Sequence, residues 1–398
     1  MLPTRRFGRT GLPMPVLSLG GMRFQQSWSD LEAAEISAAS QRNLMELLQA
    51  AVAAGFHHIE TARGYGTSER QLGELLPQVP DANRIVQTKV APDPDPARFE
   101  AELALSFQRL ALERVDLLSL HGLNTAEHLE QTLRPGGCLE VVRRWQAEGR
   151  VGHVGFSTHA PLPLILEAIA SDAFAYINLH WYFIRQENSP ALEAARAHDM
   201  GVFLISPTDK GGHLHSPSER LLELCAPHHP IVVNDLFCLS HPAVHTISVG
   251  AAGAWDLERH LQAVALLEQA PTLLPPILER LEQARREALG GPWLASWHQG
   301  LPAWQQTPGQ INLPVLLWLH NLLAAWDLES FCQARYRLLG HGGHWFPGEN
   351  ADALDHQVSE AELLAVLGGS PWAERIPDLL RELQRRLGGE AGRRLQVN

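Results

Sequence analysis

Eight times between Val16 and Glu268 a short apolar run gives way to a segment with helical spacing. That alternation limits the fold more than any other feature of the chain. Strands that alternate with helices call for a parallel sheet with helical crossovers. Eight such units within about 250 residues match the number and length that close a (β/α)8 TIM barrel, an α/β fold. The rival is an open doubly wound sheet, which would want a Gly-x-Gly-x-x-Gly loop after its first strand. The nearest match, Gly64-Tyr65-Gly66-Thr67-Ser68-Glu69, follows the second strand and has Glu69 in place of the third glycine. The barrel is the expectation.

Residues 4–20 read as two short strands around Gly8-Arg9-Thr10-Gly11, a hairpin signal. Leu44, Leu47, Leu48, Ala51 and Val52 give residues 41–54 a helical stripe that Gly55 stops. Later strands are expected at 57–60, 84–89, 115–121, 151–156, 174–179, 202–206 and 246–249. Past Ala270 the pattern changes. Pro271, Pro275 and Pro276 mark a boundary, and only helices are expected beyond it, at 278–289, 315–326, 328–338 and 379–387. The organisation expected is a barrel with an N-terminal β-hairpin over 1–270 and a helical domain over 271–398. Trp293, Trp297, Trp304, Trp318, Trp326 and Trp345 crowd this tail. Packing of a small helical domain accounts for them; the other reading is a face for a protein partner.

The formal charge of −12 opposes a nucleic-acid partner, because phosphate would be repelled. Cys138, Cys225, Cys238 and Cys332 form no Cys-x-x-Cys pair, which fits unpaired thiols in a reducing cytoplasm and no metal site. The longest apolar stretch, 311–326, contains Asn312, Pro314, His320 and Asn321, too many interruptions for a membrane span. Thr4-Arg5-Arg6-Phe7 resembles a twin-arginine start, but Pro13 and Pro15 break the region after it, so no signal peptide is expected.

Four side chains at the ends of the second, third and fourth strands carry the chemistry: Glu60 and Tyr65, Lys89, and His121. Barrel enzymes keep their reacting groups at these strand ends. A phenol with a pKa near 10 is a poor proton donor at neutral pH. A lysine ammonium beside it stabilises the phenolate. A carboxylate fixes the lysine, and an imidazole orients a carbonyl or relays a proton. Each residue also has a plain structural role available: a loop tyrosine, a snorkelling lysine, a core histidine, a turn-capping glutamate. Together, on successive strands, they form a proton-transfer set, and beside a hydride donor the reaction is carbonyl reduction.

The segments Glu60–Glu69, Thr88-Lys89 and Asp116–His121 resemble the signatures of the aldo-keto reductases, as do Phe7–Gly11, Leu19–Met22 and Gly149–Ser157. The resemblance runs from about Arg5 to Glu268 and implies a barrel that binds NADPH without a Rossmann domain and reduces aldehydes and ketones. It implies Tyr65 as proton donor, Lys89 as its tuner, Glu60 as the lysine's partner in place of the usual Asp, and His121 as the orienting group. It places the nicotinamide carboxamide at Ser157 and Asn178, a stacking aromatic at Trp181, the pyrophosphate near Ser206, Pro207 and Lys210, and a phosphate-suited loop at Gly250. The family's Arg after that glycine is missing, and Ala252, Gly253, Asp256 and His260 occupy the loop and next helix. Asp256 would repel a 2′-phosphate or accept a bond from an NADH ribose, so NADPH is expected and NADH stays open. Some relatives carry a ferredoxin-like cysteine cluster in the tail. Residues 336–348 have no cysteine, so no iron–sulfur cluster is expected, and His341 and His344 read as a solvated turn. The leading expectation is a reductase of small carbonyl compounds. The alternatives are a nucleotide-sensing interaction protein on the same barrel and an isomerase or lyase without nicotinamide. The loops 23–40 and 123–137 have no pattern diagnostic of a substrate.

Overall fold

A two-stranded antiparallel ribbon opens the chain in the computed structural model, which describes residues 2–389. Its strands, β1 (Thr4–Arg6) and β2 (Pro13–Pro15), pair with Arg5 opposite Met14. One 3-10 turn joins them and ends at Gly11 with φ +70°, a left-handed value that glycine adopts without strain. Eight parallel strands then close into a barrel: β3 (Leu17–Gly20), β4 (His58–Glu60), β5 (Ile85–Val90), β6 (Val115–His121), β7 (Val151–Ser157), β8 (Tyr176–Leu179), β9 (Gly201–Leu204) and β10 (Thr246–Gly250). They pair in sequence order, and β10 pairs with β3 to shut the ring. The fold class expected from the alternation is the one observed.

Helices cover the barrel: α1 (Ala38–Ala54), α2 (Ser68–Leu75), α3 (Pro96–Leu110), α4 (Ala126–Leu133), α5 (Cys138–Ala147), α6 (Leu162–Ala170) and α7 (Ser189–Ala197). Their ends follow local chemistry. Ser37 caps α1 by accepting from Ser40 N, and Gly55 ends it at φ +98°. Asp95 caps α3 with Pro96 in its first turn, and Phe99, Leu103, Phe107 and Leu110 bury one stripe. Residues 123–137, expected as loop, contain α4. Its apolar content is too thin for a clear period, but Thr125 caps it by accepting from His128 N.

The chain divides into two compact units, Met1–Gly211 with Ile231–Ala270, and Gly212–Pro230 with Pro271–Asn398. The first holds the barrel, its helices, α9 (Pro230–Ser240) and α10 (Leu257–Ala265). The second holds α8 (Glu219–Cys225), α11 (Ala270–Leu289), α12 (Gly291–Ser296), α13 (Leu313–Trp326), α14 (Glu329–Leu338), α15 (Glu360–Val366) and α16 (Ile376–Leu387). Pro275 and Pro276 lie inside α11 and do not precede it. The helix runs through two missing N–H donors, held by the buried stripe Leu274, Ile277 and Leu281. Within the second unit α16 buries Ile376, Leu379, Leu380, Leu383 and Leu387. Trp293 and Trp326 are buried, and their indole N–H groups donate to Asn321 Oδ1 (2.6 Å) and Leu281 O (3.0 Å). All four cysteines are free and buried. No described helix is long and apolar enough to cross a membrane.

A polar cluster lies inside the barrel beside the apolar group Phe7, Met14, Ile85, Leu117 and Phe203. Ser18 Oγ lies 2.6 Å from Thr246 Oγ1 and 2.6 Å from His58 Nδ1. Ser119 Oγ accepts from Gln87 Nε2 at 3.2 Å and lies 3.1 Å from Tyr176 OH. Burial, reinforced by the Lys89 ammonium, pushes His58 down to about 3.

Candidate active site

Strand register brings the four chemical side chains to one end of the barrel. Glu60 closes β4, Lys89 lies one residue from the end of β5, and His121 closes β6. Tyr65 stands on the loop between β4 and α2. The Lys89 side chain is fully buried and pairs with Glu60. Its Nζ also donates to Thr61 O at 2.9 Å and lies 3.3 Å from the Tyr65 hydroxyl. Burial works against the Lys89 ammonium, but the Glu60 carboxylate and the Tyr65 oxygen outweigh it and raise its pKa. The lysine is therefore a fixed cation. His121 meets the Tyr65 ring edge-on, with centroids 5.7 Å apart at 85°.

Glu60 is one methylene longer than an aspartate, and Gly20 makes the room. A Cβ on Gly20 would come within 2.4 Å of Ser248 Oγ and 3.3 Å of Glu60 Oε1. Ser248 Oγ lies 3.5 Å from the same carboxylate oxygen.

On its outer side Tyr65 faces Trp28, whose ring is edge-on at 6.4 Å and 86°. Trp28 belongs to a loop with no sequence pattern, and geometry holds it. Asp30 accepts from Arg109 Nε at 2.8 Å and from Arg63 Nη2 at 2.6 Å. Burial raises the Asp30 carboxyl, but the two guanidiniums outweigh it and hold it below its usual range. Thr67 N donates to Ser27 O at 3.0 Å, and Thr67 Oγ1 accepts from Gln26 N at 3.0 Å.

A second row runs around the barrel beside the first. His121 pairs with Ser157, and Ser157 with Asn178, in register. Ser157 Oγ accepts from Gly122 N at 3.0 Å. Asn178 Oδ1 lies 3.3 Å from Ser119 Oγ, while its buried Nδ2 has no hydrogen-bond partner. A buried amide donor without an acceptor is costly, and a ligand carbonyl would satisfy it. A carboxamide of the nicotinamide type fits this row.

Trp181 is elsewhere. Its ring stacks on Phe237 at 4.7 Å, meets His241 edge-on, and its N–H donates to Ser189 Oγ at 3.0 Å. The expectation that it stacks on a nicotinamide is corrected. Trp181 lies two residues past the end of β8, where strand alternation no longer fixes the side a ring takes. Asp256 also differs from expectation. Its carboxylate turns back to accept from Ala252 N at 2.7 Å and lies 3.5 Å from Arg23 Nη1, so it is not an unopposed charge. His260 is fully buried, its Nδ1 2.5 Å from Asp235 Oδ2.

Ser206, at φ +54°, accepts from Lys210 N at 2.9 Å, and Pro207 O accepts from Asn234 Nδ2 at 3.2 Å. Lys210 Nζ lies 3.2 Å from His159 Nε2 and 3.3 Å from His180 Nε2. Sequence reasoning missed these two histidines, which lie just past the ends of β7 and β8. It also missed Arg23, whose Nη1 donates to Gly250 O at 2.9 Å. No local signal links residues so far apart in the chain.

The sequence profile described as the Aldo/keto reductase family matches residues 16–266. Among curated proteins the chain is similar to the uncharacterized oxidoreductase YqkF of Bacillus subtilis (strain 168), 23% identical over 278 residues, covering 59% of this chain and 88% of that protein. It is also similar to the aldo-keto reductase str7 of Strobilurus tenacellus, 26% identical over 231 residues, covering 55% of this chain and 66% of that protein. Among solved structures it resembles the holo form of the aldo-keto reductase AKR11C1 from Bacillus halodurans, with a TM-score of 0.56 and 18% identity over 69% of this chain and 97% of that one. That last likeness speaks for the fold.

Proposed function

The chain belongs to the aldo/keto reductase family, and on that premise we propose that it reduces an aldehyde or ketone to an alcohol with Tyr65 as proton donor and NADPH as coenzyme. The nicotinamide, when bound, supplies the hydride to the carbonyl carbon. The carbonyl oxygen takes the Tyr65 proton as its π electrons localise there. Lys89 stabilises the phenolate that remains, at a contact of 3.3 Å. Glu60 and Thr61 O keep the ammonium in place. His121, set against the Tyr65 ring, orients the carbonyl oxygen. Trp28 gives the approach to Tyr65 an apolar wall.

The observation that carries this reading is the fully buried lysine shared between a carboxylate and a phenol. Ser157 and the unpartnered Asn178 amide would hold the carboxamide, and Ser206, Pro207 and Lys210 would line the pyrophosphate. Arg23 offsets the Asp256 charge that would otherwise repel the 2′-phosphate of NADPH at the Gly250 loop. The test is NADPH oxidation by a panel of aldehydes. Tyr65→Phe should abolish turnover and leave NADPH binding intact; undiminished turnover would remove Tyr65 from the role. NADH binding about tenfold tighter than NADPH would overturn the coenzyme choice.

A further inference from the structure

We propose that Ser119 is a positioning residue for the coenzyme: it sets the Asn178 amide so that its N–H end, and not its oxygen, meets the nicotinamide carboxamide. The inference rests on the nicotinamide-coenzyme reading above and concerns the residues that aim the amide.

Three neighbouring strands build the support. Ser119 on β6, Gly155 on β7 and Tyr176 on β8 are partners in register. A Cβ on Gly155 would come within 2.6 Å of the Tyr176 ring. The phenol therefore lies against bare glycine backbone, and its hydroxyl reaches Ser119 Oγ, two strands away, at 3.1 Å. Gln87 Nε2, on β5, donates to the same oxygen at 3.2 Å. Two residues past Tyr176 on β8, Asn178 brings its Oδ1 to 3.3 Å from Ser119 Oγ. Gln87, Ser119, Tyr176 and Asn178 are all fully buried, so bulk solvent does not compete for these bonds.

Proton counting gives the direction of each bond. A serine hydroxyl has one proton to give and two lone pairs to fill. Sent to Tyr176, that proton would leave Asn178 Oδ1 without a donor and the phenol proton without an acceptor among the described residues. Sent to Asn178, it satisfies the amide oxygen, and the phenol and Gln87 fill the two lone pairs. Burial pushes the Tyr176 phenol far above its usual value, so it keeps its proton to donate. Each bond left unmade in so dry a place is costly, which selects the second arrangement. With Oδ1 held, Asn178 Nδ2 is left over, buried and without a partner. The amide is a donor fixed before the ligand arrives, and it selects the carbonyl of the carboxamide over its NH2.

Calorimetric titration of the full chain tests this. Ser119→Ala should weaken NADPH by about threefold to tenfold, the worth of one hydrogen bond. Adenosine 2′,5′-bisphosphate, which lacks the nicotinamide, should bind wild type and variant alike, whereas a generally damaged pocket would weaken both ligands. The 3-acetylpyridine analogue of NADPH keeps the carbonyl and has a methyl group in place of the NH2, so it should lose as much as NADPH does. Ser119→Cys keeps the shape with a weak donor and should show the same selective loss, which carries the test if Ser119→Ala does not fold. An NADPH affinity within about twofold of wild type in either folded variant overturns the proposal. Equal weakening of the bisphosphate overturns it too, as does an acetylpyridine analogue whose binding the variants leave unchanged. Failure of wild type to bind NADPH would instead overturn the coenzyme reading itself.

Discussion

Glu60 tests how much geometry the buried ion pair tolerates. Glu60→Asp keeps the charge and shortens the arm, so turnover should stay within about tenfold, roughly 1.4 kcal/mol of barrier. A complete loss in steady-state assays would mean that the longer arm is essential. Gly20→Ala acts on the same carboxylate from behind. Its new methyl would meet Ser248 Oγ and Glu60 Oε1, and overpacking of this kind costs about 1–3 kcal/mol. Thermal melts should show the loss, and turnover should fall with it. Glu60, Lys89 and His121 were legible because each stands at or next to the end of a strand whose apolar run is plain, and Tyr65 because it follows on the adjoining loop. Trp181 was misread because position near a strand end does not say which side the ring takes. Arg23 was invisible because its partners, Gly250 and Asp256, lie in a distant segment.

The loop that carries Trp28 is an element whose order comes from charges. Asp30 ties it to Arg63 and Arg109, and Gly66, at φ +53°, lies so close that a Cβ would come within 1.9 Å of Ser27 O. Asp30→Asn should loosen the loop, raising KM for the carbonyl more than it lowers kcat and speeding amide exchange over residues 24–31. Unchanged exchange would show that the backbone bonds to Thr67 suffice. Elements with strong end signals were readable to the residue: α3 has Asp95 and Pro96, and β6 is a mostly buried run that ends at His121. The start of α11 was not readable, because adjacent prolines usually stop a helix and only burial of its stripe carries it through.

At the scale of the molecule, the pH dependence of stability should have a histidine component. Burial lowers His58 from 6.5 to about 3 and His245 to about 4. Both folded values lie below the unfolded one, so the unfolded chain binds more protons in that window and stability falls with falling pH. The contribution is fully present above about 6.5 and is lost progressively toward 3. His58→Gln should flatten the acid limb of a Tm–pH curve, whatever it does to Tm at neutral pH. An unaltered slope would assign the acid sensitivity to other groups. The barrel could be foreseen because its period repeats eight times. The polar cluster inside it could not, since Ser18, His58, Gln87 and Ser119 occupy strand positions where apolar residues are the ordinary choice. One consequence follows for how the molecule holds together. Lys89 and Glu60 come from neighbouring strands and end with no access to water worth the name. A half-closed ring that enclosed either alone would strand a bare charge in a dry interior, at a cost of several kcal/mol. The barrel therefore tolerates the two buried charges only as a pair, and removing either partner should destabilise the closed ring.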